Sequence, residues 1–143
     1  TFKLTTKNLS EHETIFQKLI AKEAMLLQPY LKNVETQGEI ALMVIGGTFT
    51  HAILKKAKPG DFRVQDDFGG TVHHYNATQE EKVFAEKVVS ICNPIPLYAR
   101  VDIIIDNDGK PSGSELEIIE PELWFRFAPD AAEKFAGVIA DTM

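Results

Sequence analysis

The segment YARVDIIIDNDGKPSGSELEIIEP, residues 98–121, decides the fold, because two apolar stretches flank a strong turn signal. Asp108 followed by Gly109 is typical of the two-residue loop of a β-hairpin. With these two residues as the loop, Asn107 faces Lys110 and the register of the two strands is fixed. The segment therefore predicts an antiparallel hairpin in which each cross-strand pair can be counted outward from the turn.

Four charged residues fall on one face of this predicted hairpin. The count places Asp102 opposite Glu115. It also places Arg100 opposite Glu117, and the alternation of side chains along a strand puts both pairs on the same face. Directly facing pairs have Cβ atoms about 5 Å apart, and hard carboxylate oxygens around such a gap suit Mg²⁺. On spacing alone, a solvated sheet face with ordinary surface acids is an equally good interpretation.

The rest of the chain supplies the elements around the hairpin. Capping-box patterns precede two stretches of helical apolar spacing, at Ser10 with Glu13 and at Thr78 with Glu81. The predicted elements are, in order, a helix over about 11–22, a proline-limited strand end LLQPYL at 26–31, strands GEIALMVI at 38–45 and TFTHAILKK at 48–56, a loop over 57–70, a strand TVHHYN at 71–76, a helix that stops near Pro94, the hairpin, and a helix from near Pro129. Short turns rather than helical crossovers join the strands. This favours an α+β domain, with an antiparallel sheet covered by helices on one face.

Composition limits the classes of function. The 143 residues, 44% of them apolar, suffice for one domain with its own core. A net charge of -6 argues against binding nucleic acid or anionic lipid through a general basic surface. Cys92 is the only cysteine, which excludes an internal disulfide and a zinc site of several thiolates. The longest apolar stretch, 40–45, is far shorter than the roughly 20 residues of a membrane span, so we expect a soluble protein, and the single cysteine fits a reducing cytoplasm.

Several motifs together resemble a known enzyme family. RVD on one strand, a turn, and then two acids one residue apart with a proline four residues on resemble the metal-binding hairpin of ATP-grasp enzymes such as D-alanine:D-alanine ligase and glutathione synthetase. GGTFTHAILKKAKPGDFRVQDDFGG at 46–70 and ELEIIEPELWF at 115–125 look like a branch of carboxylate-amine ligases that includes the cyclo-ligase of cycloserine biosynthesis. The resemblance covers roughly residues 23–140 and implies the C-terminal ATP-grasp subdomain.

The resemblance implies roles for the charged face. Asp102 and Glu115 look like ligands of Mg²⁺, or of Mn²⁺ in its place. Glu117 stands where many relatives have Asn, a change that keeps an oxygen ligand and adds negative charge. Arg100 resembles the arginine that steadies charge on the acyl-phosphate and tetrahedral intermediates, with a simple salt bridge as the alternative.

The resemblance also implies contacts with ATP outside the hairpin. LLQPYL corresponds to the interdomain hinge, whose main chain hydrogen-bonds adenine. Glu39 resembles the acid that binds the ribose hydroxyls, and ordinary surface glutamate is the alternative. Lys55 and Arg63 lie where relatives place cations near the phosphates or the substrate carboxylate, and exposed basic residues are the alternative. The hinge residues carried over are Gln28, Pro29, Tyr30 and Leu31.

The implied activity is that of an ATP-dependent ligase. ATP phosphorylates a small-molecule carboxylate, and an amine-type nucleophile then displaces the phosphate and leaves ADP. A phosphotransferase of the same fold and a non-catalytic nucleotide- or metal-binding module are the alternatives. We expect residues 1–143 to form a single domain that lacks the upstream subdomains and is therefore inactive alone. The oligomeric state stays open, with a homodimer as one option.

Overall fold

The structure, a computed structural model, describes residues 2–58 and 70–143. Its internal contacts group the chain into two compact units, which meet in sequence between Tyr30 and Leu31. The first unit contains helix α1, Leu9–Ile20, followed by a segment without helix or strand. The predicted helix is therefore confirmed. The Ser10 capping box is not formed, because the helix begins one residue before Ser10 and Asn8 occupies the cap position.

The second unit is built around a five-stranded sheet in the order β3-β2-β1-β4-β5, with every neighbouring pair antiparallel. This confirms the predicted α+β class and antiparallel sheet. The predicted loop over 57–70 falls almost entirely outside the described residues. The elements of the unit are α2 Val34–Gln37, β1 Glu39–Ile45, β2 Thr48–Lys56, β3 Thr71–Tyr75, α3 Gln79–Ser90, β4 Tyr98–Ile105, β5 Pro111–Glu117, a 3₁₀ turn Phe125–Phe127 and α4 Pro129–Ala140.

Helices cover both faces of the sheet, whereas the sequence pattern predicts helices on one face only. On one face, Leu42 and Val44 of β1 belong to an apolar cluster with Ala85 of α3. On the other face, Met43 packs in a cluster with Phe135 of α4. The difference follows from β1, which is buried at every position after its first residue and therefore needs cover on both sides. Within the described residues, no helix is long and apolar enough to cross a membrane.

The predicted capping box of α3 is confirmed. The Thr78 hydroxyl accepts the N–H of Glu81 at 3.3 Å, and the Glu81 carboxylate accepts the N–H of Thr78 at 2.7 Å. The same carboxylate accepts the Tyr75 hydroxyl at 3.0 Å. Burial and this bond raise the pKa of Tyr75 to about 12. The start of α3 is therefore tied to the end of β3.

His51 links β2 to the C-terminal segment. Its ring lies on the α4 face, where Nε2 donates to the carbonyl of Leu123 at 2.8 Å. Burial lowers the pKa of His51 below its ordinary 6.5, the bond to Leu123 partly offsets this, and His74 nearby adds to the lowering. The folded chain therefore binds fewer protons at this site than the unfolded chain below about pH 6.5.

We expect the free energy of unfolding to fall as the pH drops from about 6.5 toward the folded pKa of His51, and this loss to be smaller in His51→Gln. Urea unfolding at pH 7.5 and pH 5.5 measures the difference. The exposed His73→Gln variant is the control and should keep the wild-type response. Equal pH dependence in all three proteins would show that His51 does not carry it.

Candidate functional site

The turn of the β4–β5 hairpin contains three residues, Asn107–Gly109, rather than the two that the sequence predicts. The N–H of Asp106 donates to the carbonyl of Lys110 at 2.8 Å and closes the turn. The Asp106 carboxylate accepts the N–H of Lys110 at 2.9 Å, and this bond lowers the pKa of Asp106. Gly109, at φ 83°, supplies the left-handed residue that a three-residue hairpin loop needs.

A β-bulge in β5 restores the register that the longer turn shifts. Ile103 pairs with Gly113, and the next pair is Asp102 with Glu115, so Ser114 is an extra residue without a partner in β4. The longer turn shifts the pairing of β4 with β5 by one residue, and the bulge shifts it back by one residue. Beyond the bulge, the ladder therefore has the register that a two-residue turn without a bulge would give.

The cross-strand pairs predicted from the sequence are confirmed as a result. Asp102 faces Glu115 and Arg100 faces Glu117. Only the pairs between the bulge and the turn differ from the prediction. The four charged side chains therefore belong to one face of the sheet, the same face that α4 covers farther along β1.

Asp102 is the centre of an ion-pair cluster on this face. Its side chain is completely buried, with 0% exposed. One oxygen, Oδ2, lies 2.7 Å from Nζ of Lys55 and 3.0 Å from Nη2 of Arg100. The other, Oδ1, lies 2.9 Å from Nε of Arg100. Both oxygens of the buried carboxylate are thus held by cations.

Each of the two cations has a second carboxylate partner. Arg100 Nη2 lies 2.5 Å from Glu117 Oε2 and 3.5 Å from Glu115 Oε2. Lys55 Nζ lies 2.5 Å from Glu39 Oε1. The side chains of Lys55 and Arg100 are each only 12% exposed, whereas Glu115 is 59% exposed. The cluster thus extends from a buried centre to an acid in contact with water.

Electrostatics keep both cations charged. Burial alone would lower the pKa of Lys55, but Asp102 and Glu39 outweigh it and raise that pKa above its ordinary value. Burial opposes the charge of Arg100 in the same way, and Asp102 and the two acids of β5 raise its pKa. Four carboxylates surround two cationic groups, so the cluster carries an excess of two negative charges.

The donor set suits Mg²⁺, although the side chains are not arranged around a common point. Across residues 2–58 and 70–143, no three His, Cys, Asp or Glu side chains converge closely enough to hold a metal ion. Carboxylate oxygens are nevertheless the ligands that Mg²⁺ prefers, and the excess of negative charge matches a divalent cation. Glu115 is accessible from water and has one distant contact, so the residues fit a magnesium site if their present ion pairs rearrange.

A second bulge brings Lys55 into the cluster. Thr50 is an extra residue in β2, between the pair Val44–Phe49 and the pair Met43–His51. A strict count from the Gly46–Gly47 turn places Leu54 opposite Glu39, and Lys55 then points to the other face. In the structure Lys55 itself faces Glu39. The residues of the Gly46–Gly47 turn do not predict that Lys55 faces Glu39.

Ser114 is a residue of the site that sequence reasoning does not identify. Its hydroxyl donates to Glu39 Oε2 at 3.2 Å and links the bulge in β5 to the first residue of β1. Glu39 in turn holds Lys55. A serine in a stretch of Ser and Gly resembles ordinary turn sequence, so only the observed bulge reveals its place in the cluster.

The remaining predicted residues fall at the boundary between the two units or outside the described residues. Gln28–Tyr30 ends the first unit and Leu31 begins the second, in a stretch without regular secondary structure. The prediction for Arg63 lies outside the described residues. For these residues the assignments from resemblance stay predictions.

The chain is similar to a protein family, to a curated protein and to solved structures. The family described as the RimK-like ATP-grasp domain matches residues 4–116. The cycloserine biosynthesis protein DcsG of Streptomyces lavendulae is 31% identical over 133 residues, which cover 83% of this chain and 42% of that protein. The crystal structure of D-cycloserine synthetase DcsG superposes with a TM-score of 0.70 at 27% identity, over 80% of this chain and 41% of that one.

More distant structures share the fold. The ATP-grasp ligase PsnB, in a complex with a precursor variant, Mg and ADP, gives a TM-score of 0.61 at 17% identity, over 99% of this chain and 43% of that one. D-alanine–D-alanine ligase from Bacillus anthracis gives 0.54 at 17% identity, over 94% and 46%. The chain spans 42% of the length of the curated relative that it matches. The chain belongs to the RimK-like ATP-grasp family.

Proposed function

We propose that this chain is the part of an ATP-dependent carboxylate-amine ligase that binds magnesium and ATP. The observation that carries the proposal is the cluster around Asp102, in which strands β1, β2, β4 and β5 each supply charged side chains to one sheet face. Family membership supports the same conclusion. The match covers 42% of the length of the DcsG protein and 41% of the chain in its crystal structure. We therefore propose that other subdomains complete the active site.

The cluster contains the groups that such a reaction needs. Asp102, Glu115 and Glu117 would hold Mg²⁺, or Mn²⁺ in its place. When bound, the ion neutralises charge on the ATP phosphates and so makes phosphoryl transfer easier. Arg100 would donate hydrogen bonds to the acyl phosphate and to the tetrahedral species that follows attack by the amine. Lys55 would contact a phosphate oxygen from the β2 side of the same cluster.

Other residues are assigned by resemblance. We propose that the main chain of Gln28–Leu31 holds adenine, that Glu39 lies close enough to the nucleotide to bind ribose, and that Arg63 contacts phosphate or substrate. The substrates are a small carboxylic acid and an amine. We propose a cytoplasmic location, since a single free cysteine suits a reducing compartment. We also propose that residues 1–143 act as one part of a larger enzyme, with a homodimer as one form of assembly.

The proposal is tested by nucleotide binding in the natural gene product that contains this chain. Asp102→Asn and Glu115→Gln should each weaken Mg²⁺-dependent ADP binding at least about tenfold, because a hydrogen bond or ligand bond to a charged group contributes roughly 1.5–3 kcal/mol. Isothermal titration with and without Mg²⁺ measures the change. Glu133→Gln, an exposed acid on α4, is the control and should leave the affinity unchanged. Wild-type affinity in both site variants would rule out this magnesium site.

The reaction type is tested by ADP release. A ligase releases ADP only when a carboxylate and an amine are both present, and a screen of amino acids and small carboxylates is the suitable assay. Release with a single acceptor would instead indicate a phosphotransferase. Binding of ADP without release under any substrate combination would indicate a module that has lost catalysis.

A further inference from the structure

The cluster neutralises its own binding groups. Both oxygens of Asp102 contact cations, at 2.7 Å from Lys55 and at 2.9 and 3.0 Å from Arg100. A metal ion that approaches Asp102 therefore meets two positive groups within hydrogen-bond distance of the same oxygens. A phosphate that approaches Lys55 or Arg100 meets their carboxylate partners in the same way. Among the proposed metal ligands, only Glu115 is largely accessible, whereas the groups around Asp102 already hold one another.

Each ligand alone would break ion pairs of the cluster without replacing all of them. A divalent metal ion bound to Asp102 would balance the two excess negative charges of the cluster, but it would have to displace Lys55 and Arg100 from that carboxylate and would lie beside them. A polyphosphate bound to Lys55 and Arg100 displaces Asp102, whose completely buried carboxylate then lacks a counter-ion. Leaving a buried charge unpaired is strongly unfavourable. When both ligands bind, the charges exchange partners, and phosphate oxygens take the cations while the metal ion takes the carboxylates.

The second partners of the cations make this exchange feasible. Lys55 can leave Asp102 while it remains within 2.5 Å of Glu39. Arg100 can leave Asp102 while it remains within 2.5 Å of Glu117. Neither cation is left without a carboxylate during the exchange. Glu39 is itself held by the Ser114 hydroxyl at 3.2 Å, which keeps Lys55 close to the cluster.

We propose that Lys55 and Arg100 are built-in counter-ions that make the binding of a divalent cation and of a nucleotide polyphosphate depend on each other. The inference rests on the proposed magnesium and ATP site. It adds that the affinity of this site for one ligand is higher when the other ligand is bound. The free site binds a divalent cation weakly until the phosphates of the nucleotide remove Lys55 and Arg100 from Asp102. By thermodynamic reciprocity the cation strengthens nucleotide binding by the same factor.

The test is a titration of the natural gene product with Mn²⁺, followed by electron paramagnetic resonance, with and without saturating ADP. After correction for the Mn²⁺ that ADP binds in free solution, ADP should increase the Mn²⁺ affinity at least about tenfold, within the usual range of coupling between two sites. Lys55→Met should raise the affinity for Mn²⁺ alone several-fold and reduce the effect of ADP. Lys56→Met, at the exposed neighbouring position of β2, should behave as wild type.

The outcomes separate this inference from the proposed function. ADP binding that is independent of Mn²⁺, or a Lys55→Met variant whose affinity for Mn²⁺ alone is unchanged or lower, overturns the inference and leaves nucleotide binding in place. A purely structural role for Lys55 predicts the second of these results, because loss of packing would weaken the site. Absence of ADP binding under all conditions overturns the proposed function and the inference together.

Discussion

Replacing Asp102 by alanine is expected to lower the free energy of unfolding by about 3–5 kcal/mol, which would be among the largest effects of any single substitution in this chain. The carboxylate is completely buried and holds Lys55 and Arg100. Its removal leaves two cations that are each only 12% exposed facing one another without their shared partner. Urea unfolding followed by circular dichroism measures the change.

Two comparisons identify the cause of the loss. Glu115→Ala removes a carboxylate from the same cluster, but that side chain is 59% exposed, so the expected cost is below about 1 kcal/mol. Adding Lys55→Met to Asp102→Ala removes one of the two buried cations that share Asp102 and should restore part of the stability. A small and equal cost for Asp102→Ala and Glu115→Ala would show that the ion pairs do not stabilise the fold as described.

Gly38→Ala is expected to lower the free energy of unfolding by about 2–6 kcal/mol and to weaken nucleotide binding as well. Gly38 has φ 80°, a conformation that costs other residues about 1–3 kcal/mol. A Cβ there would lie 2.3 Å from the carbonyl oxygen of Lys55, so β1 and β2 would have to separate, with a further cost of about 1–3 kcal/mol. The separation would occur at the pair Glu39–Lys55.

Gly47→Ala is the matched control for this prediction. Gly47 has φ 75°, but a Cβ there would meet no atom of the described residues within 4 Å, so only the backbone cost of about 1–2 kcal/mol is expected. Nucleotide affinity should stay at the wild-type value in Gly47→Ala and fall in Gly38→Ala. Equal losses of stability in the two variants, with equal affinity, would contradict a specific role for the close approach between Gly38 and Lys55.

The sequence is sufficient to predict the five strands of the sheet and the facing acids, but not the details of the turn, and the strand end predicted at 26–31 is wrong. Asp108–Gly109 indicates a hairpin, and the alternation of side chains assigns the charged face. The two-residue loop is wrong, because the carboxylate of Asp106 stabilises a three-residue loop by accepting the N–H groups of Asp108 and Lys110. The predicted pairs of Asp102 and Arg100 are nevertheless correct, since Ser114 compensates for the longer loop.

The parts that the sequence does not predict depend on contacts between distant strands. The bulge at Thr50 has a local hydrogen bond from its hydroxyl to the carbonyl of Met43, yet nothing in the sequence marks Thr50 as the extra residue. Without this bulge, Lys55 would point away from the acids. The helices on both faces do have a signal, because the apolar run over 40–45 lacks the alternation of a strand that is covered on one side only.

Because β5 lies at the edge of the sheet, the proposed metal site has one part on an interior strand and another on a strand that separates from the sheet more readily. Asp102 lies on β4, between two neighbouring strands, whereas Glu115 and Glu117 lie on β5, which pairs with β4 alone among the strands of the described ranges. Edge strands separate from a sheet more readily than interior strands, and such local openings expose backbone amides to exchange with solvent. A cation shared between Asp102 and the acids of β5 would therefore clamp the edge strand to the interior, and occupancy of the site would slow hydrogen exchange first along residues 111–117.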